Sequence, residues 1–395
     1  FIMITVLIDM LSVGLIIPVL PTLVGRFTES PTEQVAWYGV IAFTYGFAQF
    51  IAAPVLGALS DKYGRRPVLL LGFCGLAINF FVTAIAWALW MLIASRLVGG
   101  AMQANAAVAN AYVADISTPE ERARRFGMLG AMFGIGFMLG PVVGGILGAI
   151  DLQLPFVVAG TLALANLVYG YFVLPESLAV AHRRPFSLRR ANPVGAFNAM
   201  RQYPLVMGLL GALLLYHIAH DANPATWTYV TMAKFDWTPT DIGLSMAFVG
   251  ICAALVQGLA VGPVVKWLGE RGAMRAGFAL FSLSFLGYAF ASSGWMMYFW
   301  IVPFSFGTIA SIATMALLSK QVPADRQGEL QGAVSSMRSL TACFAPLLMT
   351  GLFSYFTSPA APVQFPGASF FVAAILTFAA LVLVTGVLRR SPAPG

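Results

Sequence analysis

Long apolar runs broken by short polar stretches set the pattern of this chain. Twelve runs fall at roughly 1–25, 36–58, 68–88, 91–114, 126–149, 155–174, 204–231, 240–265, 274–292, 295–319, 328–353 and 367–388. Each is near the ~20 apolar residues that a helix needs to cross the hydrocarbon core of a bilayer. They predict an all-α integral membrane protein of twelve transmembrane helices. The breaks between runs are short, which leaves no room for a catalytic domain outside the membrane. The longest break, from Pro175 to Arg201, carries five arginines and His182 with little apolar periodicity. Pro359, Pro362 and Pro366 mark a loop between the last two runs, because proline breaks a helix interior.

A second pattern lies on top of the first. Gly57-Ala-Leu-Ser-Asp61-Lys-Tyr-Gly64-Arg65-Arg66-Pro67 is echoed 205 residues later by Gly262-Pro-Val-Val-Lys266-Trp-Leu-Gly269-Glu270-Arg271. Both glycines keep register while the charges change. The same offset carries Pro141 onto Pro346 and Gly127 onto Gly332, and Pro119 meets Pro323 one residue earlier. A period of this length predicts two related six-helix bundles, over 1–175 and 203–395, joined by a cytoplasmic linker at 176–202. Repeats of this kind place a transporter's substrate site where the halves meet, near the bilayer midplane.

Composition agrees: 59% of residues are hydrophobic and 9% charged, far from a soluble domain's balance. The net charge of +7 invites a nucleic-acid reading, but its distribution removes it. With both termini in the cytoplasm, eighteen basic residues face that side, only Arg26 and Lys234 lie outside, and Arg96 and Arg338 lie within spans. That bias sets topology by the positive-inside rule and points to the cell's inner, or plasma, membrane. Phe1 is already apolar, so span 1 is expected to lack its native cytosolic lead, and no cleavable signal peptide is recognised. Cys74, Cys252 and Cys343 each fall inside a span and suit neither a disulfide framework nor a metal knuckle. No His-Glu-x-x-His, Gly-x-Ser-x-Gly or nucleotide loop occurs, so an enzyme is not expected, and no cofactor or metal.

Glycines concentrate in spans 4 and 5, at Gly99, Gly100, Gly127, Gly130, Gly134, Gly136, Gly140, Gly144, Gly145 and Gly148. Small residues four apart let helices approach closely in lipid. They read as tight packing and also as a pliable helix that permits rocking.

Ionisable groups inside spans are costly and usually face a cavity or a partner. Asp9 is the clearest acid of the first half, with Arg96 as its natural counterion. A carboxylate so placed is pulled two ways, burial favouring its neutral form and a guanidinium its charged one. Movement between those settings would load and release a proton. A fixed structural pair is the other reading. In span 7, His217, His220 and Asp221 share roughly one helical face, and His217 can approach Asp221 across one turn. Three readings stay open: a proton-coupling site, a metal site short of a fourth ligand, or a polar lining for an anionic or hydrogen-bonding substrate. Arg338 in span 11 would meet a substrate carboxylate or pair with Asp221. Asn79, Gln103, Asn105, Asn110, Tyr216, Trp227, Tyr229 and Gln257 are candidate cavity-lining groups, each also able to serve as a helix–helix hydrogen-bonding group.

These motifs resemble the major facilitator superfamily, specifically its twelve-span drug:proton antiporters, over nearly the whole chain. The Gly57–Pro67 loop is similar to the superfamily's motif between spans 2 and 3. Arg96-Leu-Val-Gly99-Gly100 is similar to the span 4 motif, and Gly136 to Gly145 to the antiporter motif of span 5. Asp9 with Gly14-Leu-Ile-Ile-Pro18-Val-Leu-Pro21, Ala88-Leu-Trp-Met-Leu92, Arg125-Phe-Gly-Met-Leu-Gly-Ala131 and Pro224-Ala-Thr-Trp227 resemble the tetracycline/proton exporters more closely. The resemblance implies the major facilitator fold, a monomer, and proton-coupled export of a small amphipathic or hydrophobic compound by alternating access. Proton-linked or facilitated uptake of a small charged metabolite is the alternative. It also implies the Asp9–Arg96 pairing and a charge latch in which Arg65 bridges toward Asp115 while Asp61 faces the start of span 11 around Gly328–Gly332. The altered copy at Lys266 and Glu270 predicts that the latch works mainly on one side. The chain departs from those exporters at Asn79, at Ala253-Ala254 and around Leu280, where they carry an acid, a histidine and a second acid.

Overall fold

The computed structural model describes residues 1–103, 105–183, 200–323 and 326–390. The expected linker falls partly outside them, with Arg184, Arg189 and Arg190. Among the described residues there is helix and no strand. In the first half the helices are α1 (Ile2–Ile16), α2 (Leu20–Gly25), α3 (Pro31–Tyr63), α4 (Arg65–Ala84), α5 (Leu89–Gln103), α6 (Asn105–Asp115), α7 (Pro119–Ile150) and α8 (Leu154–Val173). Then come α9 (Pro204–His220), α10 (Ala222–Phe235), α11 (Pro239–Leu255), a π-helical turn at Val256–Ala260, α12 (Val261–Phe290), α13 (Gly294–Gly307), α14 (Ile309–Gln321), α15 (Gln327–Thr357) and α16 (Ala368–Arg390).

Each of the twelve apolar runs falls on helix. Nine stretches among the described residues are long and apolar enough to cross a membrane, beside the shorter Ile2–Ile16. The difference from twelve has identifiable sources. Pro18 and Pro21 have no N–H to return to the preceding turn, so span 1 breaks into α1 and α2. Residue 104, outside the described set, divides span 4. Spans 8 and 9 run together as one 52-residue stretch, bent at Gly269, whose φ of 66° is non-helical. Span 7 remains one stretch, Pro204–Phe235, although α9 gives way to α10 at Asp221 (φ −69°, ψ −12°), three residues before Pro224.

The chain forms two compact units, one of Phe1–Ala191 with Trp237–Gly250, the other of Asn192–Asp236 with Ile251–Gly395. In lipid the hydrophobic effect does not drive helices together, so close packing must. In the first unit the glycines of α7 supply it. A Cβ on Gly136 would stand 2.6 Å from the Met10 Cβ, and one on Gly140 2.5 Å from the Gly14 Cα. One on Gly144 would collide with the Leu15 carbonyl. Three glycines four residues apart thus seat α7 on the backbone of α1. Gly145 and Gly243 do the same between α7 and the start of α11, where Cβ atoms would stand 2.5 Å from the Pro239 and Pro141 carbonyl oxygens. The helix runs unbroken past Pro141.

Aromatic stacking holds the second unit. Phe278, Phe281, Phe285, Tyr288, Trp227 and Phe370 are fully buried. Trp227 meets Tyr288 edge to face at 5.2 Å, and Phe281 stacks on Phe304 at 4.7 Å. Such pairs contribute about 0.5–1.5 kcal/mol each beyond the area they bury.

The α1–α7 contact predicts a contrast between two glycines. Gly144→Ala should cost about 1–3 kcal/mol through overpacking, seen as a lower melting temperature in detergent. Gly130→Ala, where nothing lies within 4 Å, should leave it unchanged.

Candidate functional site

Three polar constellations stand out, two in the first unit and one in the second. At the α3–α4 turn, Gly64 adopts φ 106°, open to glycine and strained for other residues. A Cβ there would also run into the Glu176 carboxylate. That carboxylate accepts from the first amides of α4, Arg65 N–H at 2.8 Å and Arg66 N–H at 3.3 Å, and from Leu178 N–H at 3.0 Å. An acid suits this place because the unpaired amides and the helix dipole both favour negative charge.

The Arg65 side chain gathers the rest. Its Nη1 lies 2.6 Å from Asp61 Oδ1 and donates to Ser60 Oγ at 2.6 Å, while Nε donates to Asp115 Oδ2 at 3.0 Å. Asp115 also accepts from Ser177 Oγ at 3.2 Å. Arg66 donates to the Tyr171 carbonyl at 2.5 Å and lies over that ring. The latch read from sequence, Asp61, Arg65 and Asp115, is therefore assembled in one place. Glu176 was not foreseen, although Pro175-Glu176-Ser177 directly after span 6 was its only signal. The expected approach of Asp61 to Gly328–Gly332 falls partly outside the described residues.

The altered copy is not merely weakened. Lys266, Glu270 and Lys320 stand 205 residues after Asp61, Arg65 and Asp115, and every charge is reversed. Lys320 Nζ meets Glu270 Oε1 at 2.6 Å, and Gly269, the partner of Gly64, again has positive φ. The second unit keeps the central pair with opposite polarity. It is more open, with the Lys320 side chain 62% exposed against 10% for Arg65, and exposed pairs contribute about 0.2–1 kcal/mol.

The second constellation surrounds Asp9 on α1, a residue only 7% exposed. The Asp9–Arg96 ion pair is not formed. Asp9 Oδ2 accepts from Gln103 Nε2 at 3.4 Å, whereas Arg96 Nη2 donates to Thr83 Oγ1 at 3.3 Å and the guanidinium lies 5.9 Å from the Tyr45 ring centre. Tyr45 is within electrostatic reach of both charges. Thr83 donates to the Asn79 carbonyl and hydrogen-bonds Ser95, which fixes its oxygen toward Arg96. The Asn79 amide lies against Gly99, where a Cβ would stand 2.7 Å away. Among the described residues, Arg96 Nε, Gln103 Oε1 and both Asn79 amide atoms find no partner. On the other side of Asp9 a small cavity is lined by Thr5, Leu69, Phe73, Asn105 and Phe133. Asn105 donates to the Leu69 carbonyl at 2.9 Å, its Oδ1 remaining unpaired.

The third constellation lies on α9. His220 Nδ1 is 3.8 Å from Asp221 Oδ1, so His220, rather than the expected His217, is the neighbour of Asp221. Asp221 sits where α9 gives way to α10, its N–H still bonded to the His217 carbonyl at 3.0 Å. His217 lies within electrostatic reach of His220, Asp221 and Arg338. Tyr216 is hydrogen-bonded to Ser311 and stacks on Phe281 at 4.9 Å. Of the cavity candidates, Trp227 is packed in the aromatic core, and Gln257 is exposed in the π-helical turn. Among the described residues no group of three His, Cys, Asp or Glu converges as a metal site would require.

The reversed pair predicts a rescue. Glu270→Lys or Lys320→Glu alone should lower transport and thermal stability, by about 1 kcal/mol for the latter. The double exchange should restore most of both. Exchanging Arg65 with Asp115 should not, because Ser60, Asp61 and Glu176 also hold that arginine's residue.

The sequence matches the profile described as Major Facilitator Superfamily over residues 2–230 and 213–395. It is 41% identical over 350 residues to the class C tetracycline resistance protein of Escherichia coli, covering 89% of this chain and 88% of that one. The class G protein of Vibrio anguillarum is 36% identical, covering 88% of each. In structure, the nucleoside transporter NupG aligns with a TM-score of 0.76 at 13% identity, over 98% of this chain and 97% of that one. The human organic anion transporter MFSD10 aligns at 0.71 and 24%, over 97% of each; both likenesses speak to the fold alone. The chain belongs to the major facilitator superfamily and, within it, to the group of the tetracycline resistance proteins.

Proposed function

We propose that the protein exports a small amphipathic or hydrophobic compound in exchange for protons, by alternating access. The observation that carries this reading is Asp9. It is a buried carboxylate whose hydrogen-bonding partner is a neutral amide, with the nearest guanidinium engaged elsewhere. A buried charge without a partner is costly, and taking up a proton removes that cost. Arg96 then favours the charged form whenever it turns toward Asp9, so a modest rearrangement suffices to release the proton. His217, His220 and Asp221 form a second titratable group on which the same exchange can draw.

The relatives' names carry drug resistance, which supports outward transport of a drug-like cargo. Asn79, neutral where the resemblance expects an acid, supports a cargo set wider than tetracycline. In this reading the two halves, 1–175 and 203–395, rock about a shared cavity as a monomer in the inner membrane, with both termini and the 176–202 linker on the cytoplasmic side. The Arg65–Asp61–Asp115 cluster, braced by Glu176, holds that side closed and loosens during the cycle.

Flux in proteoliposomes under an imposed pH gradient, with tetracycline among a panel of hydrophobic drugs and dyes, tests this. Gradient-driven flux should fall at least about a hundredfold in Asp9→Asn, while exchange of substrate across the membrane without a gradient persists. Flux indifferent to the gradient in the unaltered protein would refute proton coupling.

A further inference from the structure

The second unit holds a cation that no described group pairs with. Arg338 lies well inside α15, eleven residues after its first position and nineteen before its last. Its guanidinium makes no ion pair or hydrogen bond with another described group; Thr341 Oγ1 donates to its backbone carbonyl, not to its side chain. The expected Arg338–Asp221 pair is absent among the described residues. An arginine in a membrane-spanning helix ordinarily faces an anion, a carbonyl or water. Arg338 is within electrostatic reach of Tyr216 and His217, which places its charge on the side of α15 turned toward α9.

Beside it stands a flat aromatic wall. His220 lies parallel to Phe281, 7° between planes at 6.2 Å, and stacks also on Phe304. Phe281 and Phe304 are buried, but the His220 side chain is 41% exposed. The imidazole therefore presents an open face in front of a packed stack. His217 joins the two features, being within reach of both Arg338 and His220. Asp221, the one acid of the group, sits at the far end against His220 Nδ1. The α9 face that carries His217 and His220 thus has positive charge near it, from Arg338 of α15, and negative charge at its end, at Asp221.

We propose that this face is a recognition site for the carboxylate-bearing, planar part of an amphipathic cargo, the carboxylate on Arg338 and the ring on His220. Arginine suits the role because its planar fork matches a carboxylate in a two-point contact that lysine cannot copy. The stack behind His220 keeps the imidazole from turning away. The site names a substrate class for the exporter proposed above and rests on that reading, but its test is binding rather than flux, so either can fail alone.

The probes are 2-naphthoate and its neutral counterpart 2-naphthamide, titrated calorimetrically into the full-length protein in detergent. The acid should bind at least about tenfold tighter than the amide. Arg338→Gln should erase that difference and leave amide binding unchanged, Arg338→Lys should keep part of it, and His220→Ala should weaken both ligands together. Equal affinity for acid and amide, an acid affinity untouched by Arg338→Gln, or no saturable binding of either probe would overturn the proposal.

Discussion

Inside a bilayer no bulk water is at hand to solvate a polar group, and this one constraint orders the whole structure. Backbone groups satisfy it by forming helix nearly everywhere. Where proline forbids a bond, as at Pro18, the helix divides in two. Most hydroxyls satisfy the constraint locally, by bonding to a carbonyl one turn back, as Ser12, Thr44 and Thr377 do. What remains is a short set of groups that the protein leaves incompletely matched: Asp9, Asn79, Arg96 and Gln103 in one unit, and Arg338 in the other. They are costly to keep, and transport is the reason to keep them. A group that is fully satisfied in one state has no cause to exchange a proton or a cargo.

The membrane's edge follows different rules, and the repeat shows it. At the α3–α4 turn a buried arginine is enclosed by three acids and a serine, and Gly64 leaves just enough room for one of those acids to cap α4. At the matching turn of the second unit the pair survives with its polarity inverted, more open and without a capping acid among its described contacts. Attraction between neighbouring elements needs opposite charges, not a particular order of them, so the pair can invert while its backbone frame persists. Two glycines with positive φ at the same offset preserve that frame. The first cluster, whose arginine is the less exposed, is the harder to open.

Much of this was legible in the sequence. Run length located every helix, because a bilayer imposes its thickness on each span. The spacing of Gly136, Gly140 and Gly144 announced a close helix contact, although only the structure shows that α1 is the partner. The Arg65–Asp115 bridge was implied by a resemblance in motif. Facing was much harder to read. A membrane helix is apolar on nearly all sides, so periodicity does not say which side meets protein. Hence Trp227, which looked like a cavity group, lies in the core, while Gln257 lies on an exposed turn. Asp9 turned out to be matched by Gln103 rather than Arg96, because the two lie two turns apart on one face of α5 and the axial offset between α1 and α5 decides which of them reaches it. Glu176 escaped notice because its partners lie 110 and 111 residues away and the contact rests on backbone amides, which leave no trace in residue type.

The central claim is that cargo and proton compete for these incompletely matched groups. It is tested most directly by following proton release in weakly buffered detergent solution, with a pH-sensitive dye, as a transported drug is added to the purified protein. The account predicts that binding releases protons in the unaltered protein and that this release is lost in Asp9→Asn. Drug binding with no release in the unaltered protein, or with equal release in the variant, would contradict it.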